Sequence, residues 1–197
     1  MRLFALEHSK AAYVIDFAVY CGASLGLGVL LLSAGPRAQW LDMAALVLLG
    51  LIGWTALEYA LHRFVLHGLP PFSRWHAEHH KRPTALICAP TVLSASLIFL
   101  LVFLPALALG GEWRACAITF GVLTGYLAYA ITHHATHHWH TDNAWVMRRK
   151  HWHALHHSRF RPPGHYGVTS EYWDRVFNTS TPTSDNATFG TPTKEKT

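Results

Sequence analysis

The chain has 197 residues, of which 51% are hydrophobic and 14% charged, with a net charge of +5 and 16 histidines. That length suits one domain, and apolar blocks of about 20 residues, enough for a helical span, exclude an ordinary water-soluble domain. The positive charge does not point to nucleic acid, because the lysines and arginines flank apolar blocks instead of forming a basic face, and Cys21, Cys88 and Cys116 lie singly in apolar segments with no disulfide or thiolate-metal spacing.

In chain order, residues 12–34, from Ala12, make the first predicted span, with Asp16 near its start. Its apolar region is too long for a signal peptide, so it reads as an anchor. Gly35, Pro36 and Arg37 turn the chain, and the second span runs from Trp40 through Leu61 into E-Y-A-L-H-R-F-V-L-H-G. Glu58, His62 and His67 therefore fall at its far end, where Gly68, Pro70 and Pro71 stop the helix. Ser73 reads as the N-cap of a short helix, S-R-W-H-A-E-H-H-K-R, which Pro83 ends. Residues 86–109 form a third span containing Pro90 and Pro105, where a kink can form, and G-G-E-W-R at 110–114 is a second short turn. The fourth span, Ala115 to Thr132, runs straight into T-H-H-A-T-H-H-W-H at 132–140. Residues 141–177 are polar or aromatic and carry H-W-H-A-L-H-H at 151–157, and 178–197, rich in Thr, Ser and Pro, are expected to be a disordered tail.

The fold expected is all-α: one membrane-embedded domain over 1–177, a bundle of four transmembrane helices under a histidine-rich helical cap. If the N-terminus, the 62–85 loop and everything after 133 share one side, 14 of the 16 lysines and arginines lie there and only Arg37 and Arg114 lie opposite. The positive-inside rule makes that side cytoplasmic, with both termini and the cap, in a bacterial inner membrane or the endoplasmic reticulum.

The histidines fall into four clusters: His62 with His67, His76 with His79 and His80, His133 with His137, and His153 with His156 and His157. Spacings of three and four put side chains on one helical face. The five-residue spacing of His62 and His67 does not, so His67 is expected past the helix end or reaching back from its last turn. Imidazole suits iron, copper or zinc. Ten are too many for one ion, whereas two ions with about five each leave room for an exogenous oxygen ligand. A second register, His134 with His138, fits the same helix. Glu58, Glu78, Asp142, Asn143 and Asp174 are candidates to accept the other ring N–H of a ligand, or else to bridge nearby arginines, and His138 could orient a ligand or lie at the interface.

H-R-F-V-L-H-G, W-H-A-E-H-H, T-H-H-A-T-H-H, H-A-L-H-H and Y-G-V-T-S-E-Y-W-D-R-V-F, in that order across residues 55–177, resemble the boxes of the fatty acid hydroxylase and sterol desaturase superfamily, nearest its lipid 2-hydroxylase branch. These are integral membrane, histidine-ligated di-iron oxygenases. The resemblance implies as ligands His62, His67, His76, His79, His80, His133, His137, His153, His156 and His157, the T-H-x3-H-H pattern favouring the first register. It further implies two iron ions, with zinc as a substitute after purification, dioxygen as co-substrate, and hydroxylation or desaturation of an unactivated C–H bond of a lipid or fatty acyl chain. Ten residues before the first span leave no space for a fused cytochrome b5, so electrons are expected from a separate cytochrome b5-like or ferredoxin-type donor. The short spacer from His67 to His76 implies a compact cap. Two alternatives stand beside this: a carotenoid ring hydroxylase, which the last box disfavours, and a non-catalytic membrane protein binding metal or heme. A bis-histidine heme site would need histidine pairs in mid-span, and none occur there.

Overall fold

A computed structural model describes residues 7–158, 160 and 163–180. Among these residues seven α-helices follow one another: α1 (Lys10–Ala34), α2 (Trp40–Ala60), α3 (Phe72–Lys81), α4 (Thr91–Ile98), α5 (Leu104–His138), α6 (Ala144–His156) and α7 (Tyr172–Val176). Wider π-turns, Leu61–Leu66 and Phe99–Phe103, extend α2 and α4. Among the described residues there is no strand, only a bridge between Glu7 and Ile87.

Three stretches are long and apolar enough to cross a membrane: Lys10–Ala34, Arg37–Leu66 and Thr91–His138. Their outward side chains, such as Leu32, Leu41 and Leu109, are 77–90% exposed, a surface suited to hydrocarbon. The 48 residues of the third stretch would span about 72 Å as one helix, far more than the roughly 30 Å of a bilayer core. The helix is broken at Gly111, whose φ of 78° and ψ of 178° are open to glycine alone. Ile98 and Val102 then join Val122 and Leu123 in one core cluster with Tyr20 and Trp54, so the chain folds back on itself.

Several boundaries differ from the sequence expectation. The turn expected over 110–114 shrinks to Gly111, with helix on both sides. The third stretch starts at Thr91 instead of 86, because Pro90 is extended (ψ 132°) and heads the helix instead of kinking it. Pro105 lies in the first turn of α5, just after the π-turn at Phe99–Phe103. The carbonyl at 101 that its ring would strike in an α-helix thus sits in a wider turn. Helix α3 begins one residue before Ser73, which caps nothing; Pro71 holds the cap position without a side-chain bond. Ser9 does cap α1, accepting the Ala12 N–H at 3.2 Å. Residues 178–180, expected in the tail, are tied down: the N–H groups of Thr179 and Ser180 donate to the Asp174 carbonyl. The rest of that tail, 181–197, lies outside the described residues.

Helices α2 and α5 run parallel in backbone contact. A Cβ on Gly50 would lie 2.4 Å from the Ile118 carbonyl oxygen, one on Gly121 2.2 Å from that of Val47, and one on Gly125 2.6 Å from the Trp54 side chain. Small residues allow such approach in membranes, where van der Waals packing replaces the hydrophobic effect between helices. Gly50 faces Gly121 and Trp54 faces Gly125, both pairs 71 positions apart, and 71 also separates His62 from His133. The glycine seam therefore sets the histidine-bearing ends of the two helices level with each other.

Candidate metal centre

The candidate site begins with the π-turn that ends the second apolar stretch. There the His67 N–H donates to the His62 carbonyl at 3.2 Å, closing a turn over five residues instead of four. In that wider turn the two imidazoles share a face, with ring centroids 5.3 Å apart. The five-residue spacing that an α-helix could not align is aligned by the change in helix type, a device common at functional sites.

Helix α3 adds His76, His79 and His80, the end of α5 adds His133 and His137, and α6 adds His153, His156 and His157. The rings gather into two groups able to hold a metal ion: His62, His67, His76 and His156, and His79, His133, His137 and His153, with ligand atoms within 4.8 Å of one another in each. Inside the first, Nε2 atoms are separated by 3.0 Å (His62 to His76) and 3.1 Å (His67 to His156). Inside the second the separations are 3.1 Å (His79 to His133) and 2.8 Å (His137 to His153). Two nitrogens bound about 2.1 Å from one ion at a right angle are about 3.0 Å apart, so the residues fit a metal. The remaining two of the ten histidines flank these groups. His80 Nε2 lies 3.0 Å from His76 Nε2, and the His157 ring lies 4.5 Å from that of His153. His80 and His157 stack on each other at 4.1 Å between the groups, and both nitrogens of His157 are buried with no partner among the described residues.

His134 and His138, the second register, lie outside both groups. They stack on each other at 4.6 Å, with His134 Nδ1 3.2 Å from the Tyr13 hydroxyl. One residue along a helix is a turn of about 100°, which carries this pair to the flank facing α1.

The groups expected to orient the ligands act otherwise than the sequence suggested. His62 donates its Nδ1–H to the Tyr166 carbonyl at 2.5 Å, and His156 to the Gly164 carbonyl at 2.8 Å. Each ring thus spends its proton on the backbone and turns the Nε2 lone pair inward. Glu58 and Asp174 do not touch a ring. Glu58 accepts from the N–H groups of Val168 and Thr169 and from the Thr169 hydroxyl. Asp174, wholly buried, accepts from the N–H groups of Tyr166 and Gly167 and from the Thr179 hydroxyl. Glu78 is exposed and paired with Lys81, Asp142 is exposed, and Asn143 is the N-cap of α6, accepting from Trp145 and Val146. Glu78, Asp142 and Asn143 lie at helix ends or in a surface turn that directs the side chain to solvent or to its own backbone. The carbonyls of Gly164 and Tyr166 left no trace in the sequence, since every residue carries one.

Burial holds the cap imidazoles neutral, as ligation requires. His79 is pushed down to about 3, first by burial and then by the charge His137 would carry. His80 falls to about 4 and His157 to about 2, again by burial and then by neighbouring rings. His156 falls to about 3 by burial, although its bond to Gly164 pulls the other way.

A cleft of about 150 Å³ runs from His76, His79, His133 and His137 between α1, α4 and α5, walled by Phe17, Leu93, Tyr126, Tyr129 and Ala130. A cavity of that size takes a benzene-sized group, so it admits a short length of hydrocarbon chain to the histidines.

Helices of membrane length that bring together two histidine groups able to hold metal ions, beside an apolar cleft, define a helical membrane protein with a candidate metal site. Residues 47–179 match the family model described as fatty acid hydroxylase, and the chain belongs to that family. It is similar to dihydroceramide fatty acyl 2-hydroxylase FAH2 of Arabidopsis thaliana (36% identical, covering 77% of this chain and 67% of that protein). It is also similar to fatty acid 2-hydroxylase of Rattus norvegicus (31% identical, 70% and 40%). Among solved structures it resembles full-length scs7p, with only the hydroxylase domain visible, at a TM-score of 0.71 and 27% identity over 86% of this chain and 67% of that one. The chain spans well under half of the length of the rat relative.

Proposed function

We propose that the protein hydroxylates a fatty acyl chain of a membrane lipid at a centre of two iron ions, using dioxygen and electrons from a separate carrier protein. The observation that supports this most is the pairing of two four-histidine groups with one apolar cleft that ends on them. Iron bound there would supply dioxygen reduction and removal of hydrogen from an unactivated C–H bond. The chain's own contribution is spatial. The first group would hold one ion together with His80, the second the other together with His157. The cleft would admit the acyl chain from the bilayer, with Tyr129 and Ala130 steering one carbon toward the ring of His133, and its apolar walls would keep water from the reacting carbon. The relatives are named as 2-hydroxylases of fatty acyl chains, and an acyl chain is the substrate class proposed here.

In the same reading the break at Gly111 divides the last apolar stretch into two passes. Four passes result, with 14 of 16 cationic residues and the histidine cap on the cytoplasmic side. Purified protein supplied with iron, dioxygen, a reductant and lipid is expected to give products heavier by one oxygen atom, and His156→Ala none. Turnover that survives complete metal removal refutes the proposal, products lighter by two hydrogens make the enzyme a desaturase, and a Soret band would point to heme binding instead.

A further inference from the structure

The two histidine groups are not equivalent in what lies behind them. In the first, His62 and His156 are anchored through Nδ1 to two carbonyls of one short segment, Tyr166 and Gly164. In the second, Nδ1 of His79 and Nδ1 of His153 are buried with no partner among the described residues. An imidazole with its other nitrogen bound is fixed in tautomer and orientation before metal arrives, whereas an unanchored ring must select both on binding.

The anchoring segment is itself held by two acids far apart in sequence. Glu58, from α2, accepts three hydrogen bonds from Val168 and Thr169, and Asp174, from α7, accepts from Tyr166, Gly167 and Thr179. The fit is close: a Cβ on Gly167 would overlap the Ser170 carbonyl oxygen and lie 2.9 Å from the Asp174 carboxylate. With four backbone N–H groups of residues 166–169 donated to these acids, the neighbouring carbonyls are aimed at the rings. We infer that Glu58 and Asp174 are positioning residues for the first metal alone, and that the His62, His67, His76 and His156 group therefore fills before the His79, His133, His137 and His153 group and more tightly. This rests on the two-metal reading above and adds an order of filling to it.

The two acids differ in how a neutral replacement would serve. Asp174→Asn places an amide N–H against a donor whichever way the amide turns, because both carboxylate oxygens accept from backbone N–H groups. Glu58→Gln can keep its oxygen on Val168 and Thr169 and let the Thr169 hydroxyl accept from its amide. Glu58→Ala removes all three bonds.

The test is a titration of the detergent-solubilised, chelator-stripped full chain with cobalt(II), followed by its visible absorption. Wild type is expected to bind two ions in separate steps, the tight step lost in His156→Ala and the weak step lost in His153→Ala. Asp174→Asn and Glu58→Ala should weaken the tight step about tenfold or more, the range found when groups behind metal ligands are removed, and leave the weak step unchanged. Glu58→Gln should restore the wild-type curve. Should Asp174→Asn fail to fold by circular dichroism, Thr169→Val, which deletes one bond to Glu58, carries the same selective weakening at smaller size. Two steps of equal affinity, or equal weakening of both steps by these variants, overturn the inference. Failure to bind cobalt at all overturns instead the metal-centre reading beneath it.

Discussion

Gly121→Ala tests whether the glycine seam between α2 and α5 sets the geometry of the histidines 12 positions further on. The added methyl would sit 2.2 Å from the Val47 carbonyl oxygen and 2.9 Å from the Leu51 nitrogen, all backbone, so no side chain can swing away. Reaching even 3.0 Å requires the helices to part by about 0.8 Å. Ligand positions in a metal site are held within about 0.2 Å, and the displaced ends carry His62 in one group and His133 in the other. Overpacking of this kind costs about 1–3 kcal/mol, and each kcal/mol lowers the melting temperature of a chain this size by roughly 2–4 °C. The assay is elemental analysis of bound metal per chain, with thermal unfolding in the same detergent. Gly53→Ala, on the facing helix α2 but with nothing within 4 Å of the new carbon, is the control. Reduced metal content and a lower melting temperature are expected for Gly121→Ala alone. A full metal load at the wild-type melting temperature, or an equal loss in Gly53→Ala, would refute the reasoning.

Acidification supplies a second test. His79, His80, His156 and His157 titrate at about 3, 4, 3 and 2 when folded against about 6.5 when unfolded, so below 6.5 the unfolded chain binds protons that the folded chain refuses. Metal-free protein should lose thermal stability as pH falls from 6.5 toward 4 and be insensitive to these groups above 6.5; stabilisation on acidification would contradict it. Ala130→Trp should fill the cleft beside His133 and abolish turnover of long-chain lipids while metal content stays at the wild-type level, as measured by product mass and elemental analysis. His134→Ala should keep its metal, because His134 belongs to neither group, whereas His137→Ala should lose the ion of the second. Asn143→Ala deletes the cap of α6 and should cost about 1 kcal/mol, read as a lower melting temperature.

The histidines were legible in the sequence because spacings of three and four, repeated at distant places beside apolar blocks, have few other physical meanings. Composition and block length likewise indicated helices of membrane length, and Gly111 could be placed within a turn of the correct region. What the linear order could not carry was anything decided by backbone geometry across distance. The partition of eight of the ten rings into two groups depends on the parallel, glycine-mediated contact of α2 and α5, and the alignment of His62 with His67 depends on a π-turn that the α-helical period does not anticipate. The roles of Glu58 and Asp174 escaped for the same reason. Their partners are peptide N–H groups over a hundred residues away or across a short loop, and the ring protons go to carbonyls that every residue possesses, so only the folded chain could say which of them face the metal centre.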